Sequence, residues 1–174
     1  MQEDLSQYVL ESTDTLVFPL VRQELELLHD NPVAFSAYIK VWYDGVDLQQ
    51  QPYLKLYQKQ LKKLKANDAD WLWHTFWVVL SVKDRTIVGC MNFDKKPTNS
   101  TCQINFELNQ KYLKTDFATK GLALLSRWTI GQGMSKVIVK VEDNQTYKTE
   151  ILKECGFTQS CAKNQQVYQL KLSK

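Results

Sequence analysis

The sequence predicts a mixed α/β domain in which helices cover both faces of a central, mostly antiparallel sheet. The elements run in the order strand, two or three helices, three strands, helix, strand, helix, strand. The middle strands carry apolar residues on each face, which indicates a sheet covered on both sides. Residues 102–141 form a strand, a helix and a strand, and such a crossover joins parallel strands with a right-handed connection.

Length and charge limit the class of protein. The chain has 174 residues, of which 44% are hydrophobic, enough for one core but short for two ordinary domains. We therefore predict a single domain over residues 1–174, with residues 1–14 as an N-terminal extension. The net charge of +3 is too small to indicate a nucleic-acid partner by itself, and acidic small molecules remain open as ligands.

Hydropathy and cysteine placement predict a cytoplasmic protein without a membrane partner. The N-terminus is acidic and polar, unlike a signal peptide, and no apolar run reaches the roughly 18 residues that a membrane helix needs. The cysteines lie in apolar or strand-like settings without a CxxC pair or nearby histidines. This placement indicates buried free thiols rather than a metal site or a disulfide scaffold. They are Cys90, Cys102, Cys155 and Cys161.

The N-terminal half is predicted to be a strand followed by three helices. Residues 15–20 form a predicted edge strand, because Pro19 cannot donate to a neighbouring strand. Helices are predicted over residues 21–29 and 33–42, with a turn at Asp44-Gly45. The third helix lies in QQPYLKLYQKQLKKLKAN, and we interpret its lysines as a solvated face rather than an RNA-binding surface.

The C-terminal half is predicted to alternate between strands and helices. Predicted strands cover residues 71–82, 87–94, 101–108, 136–141 and 167–172, and predicted helices cover residues 116–132 and 145–155. His74 falls in the middle of the first of these strands. The start of the helix at residue 116 should face a ligand crevice, where free backbone amides and the helix dipole favour an anion.

Three stretches of this half, QINFEL, KTDFATKG and VEDNQTYKTEILKECGF, resemble the GNAT acyltransferases, in particular the branch that acetylates ribosomal-protein N-termini. The resemblance covers nearly the whole chain from Thr15 onward. It implies a splayed pair of parallel strands, residues 102–108 and 136–141, that accepts the pantetheine arm of acetyl-CoA. It also implies direct acetyl transfer from acetyl-CoA to a primary amine, either a small molecule or a peptide N-terminus.

The turn that holds the pyrophosphate in this family is altered here. The aligned residues LKTDFATKG lack the family's basic residue and both glycines. An Asp at a helix start commonly accepts the amide hydrogen bonds that a phosphate would use, so Asp116 as a helix cap is the alternative to a phosphate site. Lys111, Lys114 and Lys120 supply cations that favour an anion. The resemblance places cofactor binding at Leu108, Asn109, Lys114, Thr115, Asp116, Phe117, Ala118 and Asn144.

Two residues are the predicted catalytic groups. Tyr147 lies in the first turn of the last helix, where the family often places a hydroxyl that protonates the CoA thiolate. A tyrosine has a pKa of about 10 and is protonated at neutral pH. Glu107 is the predicted base for the amine, and a surface glutamate is the alternative. The family's Asn and Ser fall at Gln145 and Lys148, so Asn144 is displaced by one residue.

The alternative function is a catalytically inactive GNAT-fold binding or regulatory protein. Its aromatic-rich N-terminal half would then hold a partner. The aromatic residues considered for that surface are Trp42, Tyr43, Trp71, Trp73 and Trp77. The sequence leaves the acceptor and the oligomeric state open, including a homodimer.

Overall fold

The computed structural model describes residues 5–43, 51–64, 69–162 and 165–172. Its strands are β1 (Leu10–Glu11), β2 (Thr15–Pro19), β3 (Trp42–Tyr43), β4 (Phe76–Ser81), β5 (Thr86–Phe93), β6 (Thr101–Leu108), β7 (Lys136–Val141), β8 (Thr158–Ala162) and β9 (Gln165–Lys171). Its α-helices are α1 (Arg22–Asp30), α2 (Pro32–Ile39), α3 (Gln51–Lys63), α4 (Trp71–His74), α5 (Phe117–Gly131) and α6 (Thr146–Glu154). One-turn 3-10 helices cover Leu5–Tyr8 and Gln110–Tyr112.

The strands form one mixed sheet in the order β1-β2-β4-β5-β6-β7-β9-β8. The pairs are antiparallel except for β6 with β7 and the short β3, which lies parallel to the start of β5. The sequence prediction of a mostly antiparallel sheet with a parallel crossover pair is confirmed. The bounds predicted for β6 and β7 are those of the structure, in which buried residues alternate with more exposed ones along both strands.

The parallel strands β6 and β7 pair only at their first residues. Thr101, Cys102 and Gln103 of β6 lie opposite residues 136–138 of β7. Beyond this point β6 continues to pair with β5, and β7 continues to pair with β9. The two strands therefore diverge, and a gap opens between the end of β6 and the end of β7. This gap is the splay expected for the parallel pair.

Helices cover both faces of the sheet, and the alternation of β4 shows the two layers. Trp77 and Val79 belong to the core that lies under α5 and α6. Phe76, Val78 and Leu80 belong to the core that lies under α1, α2 and α3. Because all six residues of β4 are buried, this strand occupies the centre of the domain.

Helix α5 is held close to the sheet by small residues on its inner face. A Cβ atom on Gly121 would lie 2.8 Å from the Cε atom of Met91. Ala118, Leu122 and Leu125 are buried on the same face. Gly121, the last residue of the altered loop, therefore allows close packing of helix on sheet.

The segment 71–82 was predicted as one strand and is instead a helical turn followed by a strand. Residues 71–74 form α4, so His74 ends a helix and does not lie in a strand. The turn lets Trp77 donate its indole N–H to the carbonyl of Leu72 at 2.9 Å, and it packs Trp73 against Phe93. The aromatic content that favoured a strand is used for tertiary packing.

Two further predictions about elements were wrong, and one short strand was not predicted. Helix α2 ends at Ile39 because Lys40 adopts a left-handed conformation with φ of 57°, and the following residues form β3. The predicted edge strand is flanked by β1, which pairs Leu10 with Val17. The short strand β8 was missed because TQSCA is polar and shows no alternation. The turn at Asp44-Gly45 lies outside the described residues.

In the described parts of the chain, we find no helix with the length and apolar character that a membrane span requires.

Candidate active site

Glu107 and Tyr147, the two predicted catalytic residues, lie together across the gap between β6 and β7. Glu107 is near the end of β6, and Tyr147 is in the first turn of α6, the helix that follows β7. The Tyr147 hydroxyl donates a hydrogen bond of 3.0 Å to Oε2 of Glu107. Side chains thus connect the two strands where their backbones no longer pair.

A third residue, Lys148, completes this cluster. Its ammonium donates to Oε1 of Glu107, so each oxygen of the carboxylate accepts one hydrogen bond. The Lys148 side chain is only 5% exposed, whereas that of Glu107 is 30% exposed. The Lys148 nitrogen also lies 5.1 Å from the centre of the Phe106 ring. A buried lysine is expensive unless its charge is paired, and Glu107 provides the paired charge.

Lys148 was not among the residues predicted from the sequence to be functional. Lys148 lies three and four residues before Ile151 and Leu152, which are both buried on the inner face of α6. This spacing places a lysine on the buried side of an amphipathic helix and is a signal of a paired or functional charge. The structure supplies the partner, which is 41 residues away in sequence.

The environment of the cluster keeps the Tyr147 hydroxyl and the neighbouring Cys90 thiol protonated. Burial raises the pKa of Tyr147 well above its usual value, and the neighbouring charge of Glu107 raises it further. Cys90, which lies opposite Glu107 in the β5–β6 pairing, has its pKa raised to about 12 by burial and by the same carboxylate. Tyr147 can therefore donate a proton at neutral pH, whereas Cys90 is not available as a thiolate nucleophile.

The loop before α5 is built from local hydrogen bonds rather than from glycines. Asn109 accepts a hydrogen bond from the backbone N–H of Lys111 at 3.2 Å. The Thr115 hydroxyl donates to the carbonyl of Tyr112 at 2.6 Å, and the ring of Phe117 packs edge-on against the ring of Tyr112. These contacts fix the path of the chain into the first turn of α5.

Asp116 stands at the N-cap position of α5, but its side chain does not cap the helix. Its carboxylate pairs instead with Lys120 at 2.7 Å, and Lys120 also pairs with Asp14 at 2.6 Å. Asp116 as a helix cap, the alternative to a phosphate site, is therefore wrong. Lys120 forms ion pairs with two carboxylates, which raise its pKa. It is therefore a poor candidate for a phosphate ligand.

The remaining predicted cofactor-binding residues divide into buried and exposed positions. Leu108 and Ala118 are buried in the core. Lys114 is exposed and makes no ion pair with a carboxylate of the described residues. Asn144 is exposed in the turn that precedes α6. Lys114 is thus the cation of this loop that is best placed to meet an anion from solvent.

The aromatic residues considered as a partner surface are mostly used in packing. Trp77 is fully buried, and its ring lies 4.8 Å from that of Trp128. Trp73 packs against the same ring at 5.0 Å. Trp71 makes an edge contact with Tyr8. The side chains of Trp42 and Tyr43 lie outside the described residues. Burial excludes Trp77 from a partner surface, whereas Trp71 and Trp73 are half-buried and keep part of their surface exposed.

Comparison with known proteins identifies the fold. No protein-family model and no curated protein matches the sequence. A GNAT-family acetyltransferase from Bacillus anthracis has a similar structure, with a TM-score of 0.60 and 15% identity over 94% of this chain and 98% of that one.

Two further similar structures are described with bound ligands. A ribosomal L7/L12 α-N-protein acetyltransferase in complex with coenzyme A gives a TM-score of 0.65 at 13% identity, over 94% of this chain and 98% of that one. A microcin C7 self-immunity acetyltransferase in complex with acetyl-CoA and AMP gives a TM-score of 0.57 at 14% identity, over 92% of this chain and 94% of that one. The chain therefore has the GNAT fold.

Proposed function

We propose that this protein is an N-acetyltransferase that moves an acetyl group from acetyl-CoA to a primary amine by direct transfer in a ternary complex. The observation that carries the proposal is the contact between Tyr147 and Glu107 across the gap between β6 and β7. A proton donor and a proton acceptor are thereby held one hydrogen bond apart, in a fold whose solved examples include acetyltransferases with CoA or acetyl-CoA.

The gap has the character expected of a binding site for an extended ligand with amide groups. The end of β6 pairs with β5 on one side, but residues 104–108 have no strand partner on the side of β7 within the described chain. Backbone N–H and C=O groups on that side are available to a ligand in the way that a sheet edge is available to a strand. The pantetheine arm of acetyl-CoA has such amide groups.

Acetyl-CoA supplies the acetyl group as a thioester, and the protein supplies the proton transfers. Glu107 accepts the proton that the amine loses as its nitrogen bonds to the acetyl carbon. Tyr147 gives its proton to the departing thiolate. The 3.0 Å hydrogen bond between them then lets Glu107 return a proton to Tyr147, which restores both groups.

The acceptor is proposed to be either a peptide N-terminus or a small amine. One of the similar structures belongs to a protein that acetylates the α-amine of ribosomal L7/L12, and this supports a peptide N-terminus. A cytoplasmic location agrees with such an acceptor. A homodimer stays compatible with this proposal.

The second candidate is a GNAT-fold binding protein without catalysis. The observation that favours it is the cluster of Asp116, Lys120 and Asp14 at the start of α5. An exposed carboxylate at this helix start repels a diphosphate, and the lysine beside it is already paired. Calorimetry separates the two functions: we expect acetyl-CoA to release measurable heat, and its absence at millimolar ligand would favour the binding protein.

The catalytic role of Tyr147 is tested by Tyr147→Phe, which removes the hydroxyl and little packing. We expect kcat to fall about 100-fold while the Kd for acetyl-CoA changes little, because a general acid acts on the leaving group. Steady-state kinetics and calorimetry measure the two quantities. Tyr38→Phe is the control, since Tyr38 is exposed on α2. Wild-type turnover in Tyr147→Phe would remove Tyr147 from the mechanism.

A further inference from the structure

We propose that Lys148 determines which amines the site accepts, by offsetting the charge of Glu107 so that the acceptor enters as a neutral, weakly basic amine. This inference rests on the proposed acetyl transfer. It assigns a role to a buried charged residue that the proton transfers of Glu107 and Tyr147 do not themselves use.

The position of Lys148 resembles that of an amine substrate. An acceptor amine must approach Glu107 with a hydrogen on nitrogen directed at the carboxylate, and the Lys148 ammonium already makes this contact with Oε1. Oε2 is in contact with the Tyr147 hydroxyl. Each carboxylate oxygen can accept more than one hydrogen bond, so the acceptor can still be bound, but it must share Glu107 with a fixed cation.

Among the described residues, the other groups that face this ammonium are neutral. The Phe106 and Tyr147 rings lie 5.1 and 5.9 Å from its nitrogen. The pKa values of Tyr147 and of the Cys90 thiol are both raised, so these groups are neutral near pH 7. Glu107 and Lys148 together therefore have no net charge.

Charge balance then selects among acceptors. An alkylammonium ion that enters this site finds the charge of Glu107 already balanced by Lys148. The two cations repel each other strongly, because burial reduces the screening of their charges. A neutral amine meets no such repulsion. At pH 7 a larger fraction of a weakly basic amine is neutral than of a strongly basic one. Weakly basic amines are therefore the acceptors that this arrangement favours.

The test compares acetylation of three small primary amines of increasing basicity: a hydrazide, an α-amino amide and an alkylamine. Wild type and Lys148→Met are assayed for kcat/KM across pH 6 to 9. The quantity compared is the ratio of kcat/KM for the alkylamine to kcat/KM for the hydrazide. We expect this ratio to be at least tenfold higher in Lys148→Met than in wild type. Intrinsic nucleophilicity cancels in this ratio, since the same amines are used with both proteins.

Two variants make the comparison specific to the charge at this position. Lys148→Arg retains a cation and should retain the wild-type ratio, whereas Lys148→Ser, a second neutral variant, should behave as Lys148→Met. Lys153→Met removes an exposed lysine from the same helix and should leave the ratio unchanged. Thermal unfolding identifies which variants are folded, and the ratios are read from those.

The experiments distinguish an error in the role of Lys148 from an error in the proposed acetyl transfer. A ratio in Lys148→Met and Lys148→Ser that equals the wild-type ratio overturns the role of Lys148 and leaves acetyl transfer standing. No transfer by the wild-type protein to any of the amines, together with no heat from acetyl-CoA, overturns both. A pH profile for the alkylamine that moves to lower pH in Lys148→Met supports the inference, since a structural role alone would not move it.

Discussion

At the residue scale, Gly89 shows how closely β5 and β6 approach beside the candidate site. A Cβ atom at this position would lie 2.4 Å from the carbonyl oxygen of Glu107 and 3.1 Å from the Cα atom of Leu108. Both atoms belong to the backbone of the neighbouring strand and cannot rotate away. Gly89 therefore helps to set the position of the strand that carries Glu107.

Gly89→Ala should destabilise the fold, because the added methyl group can be accommodated only if β5 and β6 separate. We expect a loss of about 1–3 kcal/mol, the range found when atoms are added to a packed interior. Urea unfolding of both proteins measures the difference. Gly131→Ala is the control, since a Cβ there meets no atom of the described residues within 4 Å, and its stability should be equal or higher. Equal stabilities of Gly89→Ala and wild type would contradict the close approach.

At the scale of elements, the start of α5 carries opposing charges. The helix dipole and its first amides favour an anion, and the exposed Lys114 adds a positive charge. Asp116 places a carboxylate at the same end, where it pairs with Lys120 and does not cap the helix. The affinity of this end for a diphosphate therefore depends on the balance between these charges.

Asp116→Asn should strengthen acetyl-CoA binding, because it removes a negative charge from the helix end while keeping the size of the side chain. We expect the Kd to fall about two- to fivefold, which corresponds to the roughly 0.3–1 kcal/mol typical of a charge at a helix terminus. Calorimetry at two salt concentrations measures the effect, which should shrink at high salt.

The matched control for this change is Asp30→Asn, an exposed carboxylate at the end of α1, on the other side of the sheet from α5. Its Kd for acetyl-CoA should equal that of wild type. An unchanged or weaker affinity in Asp116→Asn would mean that the pyrophosphate does not bind at the start of α5.

At the scale of the whole molecule, α3 is attached to the sheet by charges at the end of β5. Lys59 pairs with the carboxylate of Asp94 at 2.7 Å. Lys63 donates to the backbone carbonyl of Asp94, and the buried Gln60 donates to the carbonyl of Phe93. Part of the basic face of α3 is therefore used to hold one helical layer against the sheet.

The pH dependence of stability should report this attachment. The ion pair with Lys59 lowers the pKa of Asp94 in the folded state. The stabilisation that this ion pair gives to the folded state is therefore fully present above the unfolded-state pKa of about 3.9. It is lost as the pH falls through the lower folded-state pKa of Asp94. We expect Asp94→Asn to be less stable than wild type by roughly 0.2–1 kcal/mol at pH 7.

Denaturant unfolding at pH 7 and at pH 3 measures this difference, which should narrow at the lower pH. A variant that is as stable as wild type at pH 7, or whose deficit grows as the pH falls, would contradict the assigned contribution. Asp84→Asn, on the β4–β5 turn, serves as a comparison for a carboxylate bonded to a hydroxyl rather than to an ammonium.

The sequence by itself determined the order of the longer elements, the bounds of β6 and β7, and the parallel crossover between them. These features depend on residues close together in the chain, through alternating burial in the strands and an apolar stripe on α5. It also selected Glu107 and Tyr147 as a pair of candidate residues. The elements that it missed, such as α4 and β8, are short and lack a periodic pattern of their own.

Only the tertiary structure decided which charges meet. Lys148 and Glu107 are far apart in the chain, and their contact depends on how far β6 and β7 diverge and on where α6 begins. Asp116 does not cap its own helix and pairs instead with Lys120, which also pairs with Asp14 from the other end of the chain. A charged side chain can reach several partners, and the folded backbone fixes which of them lies within hydrogen-bonding distance.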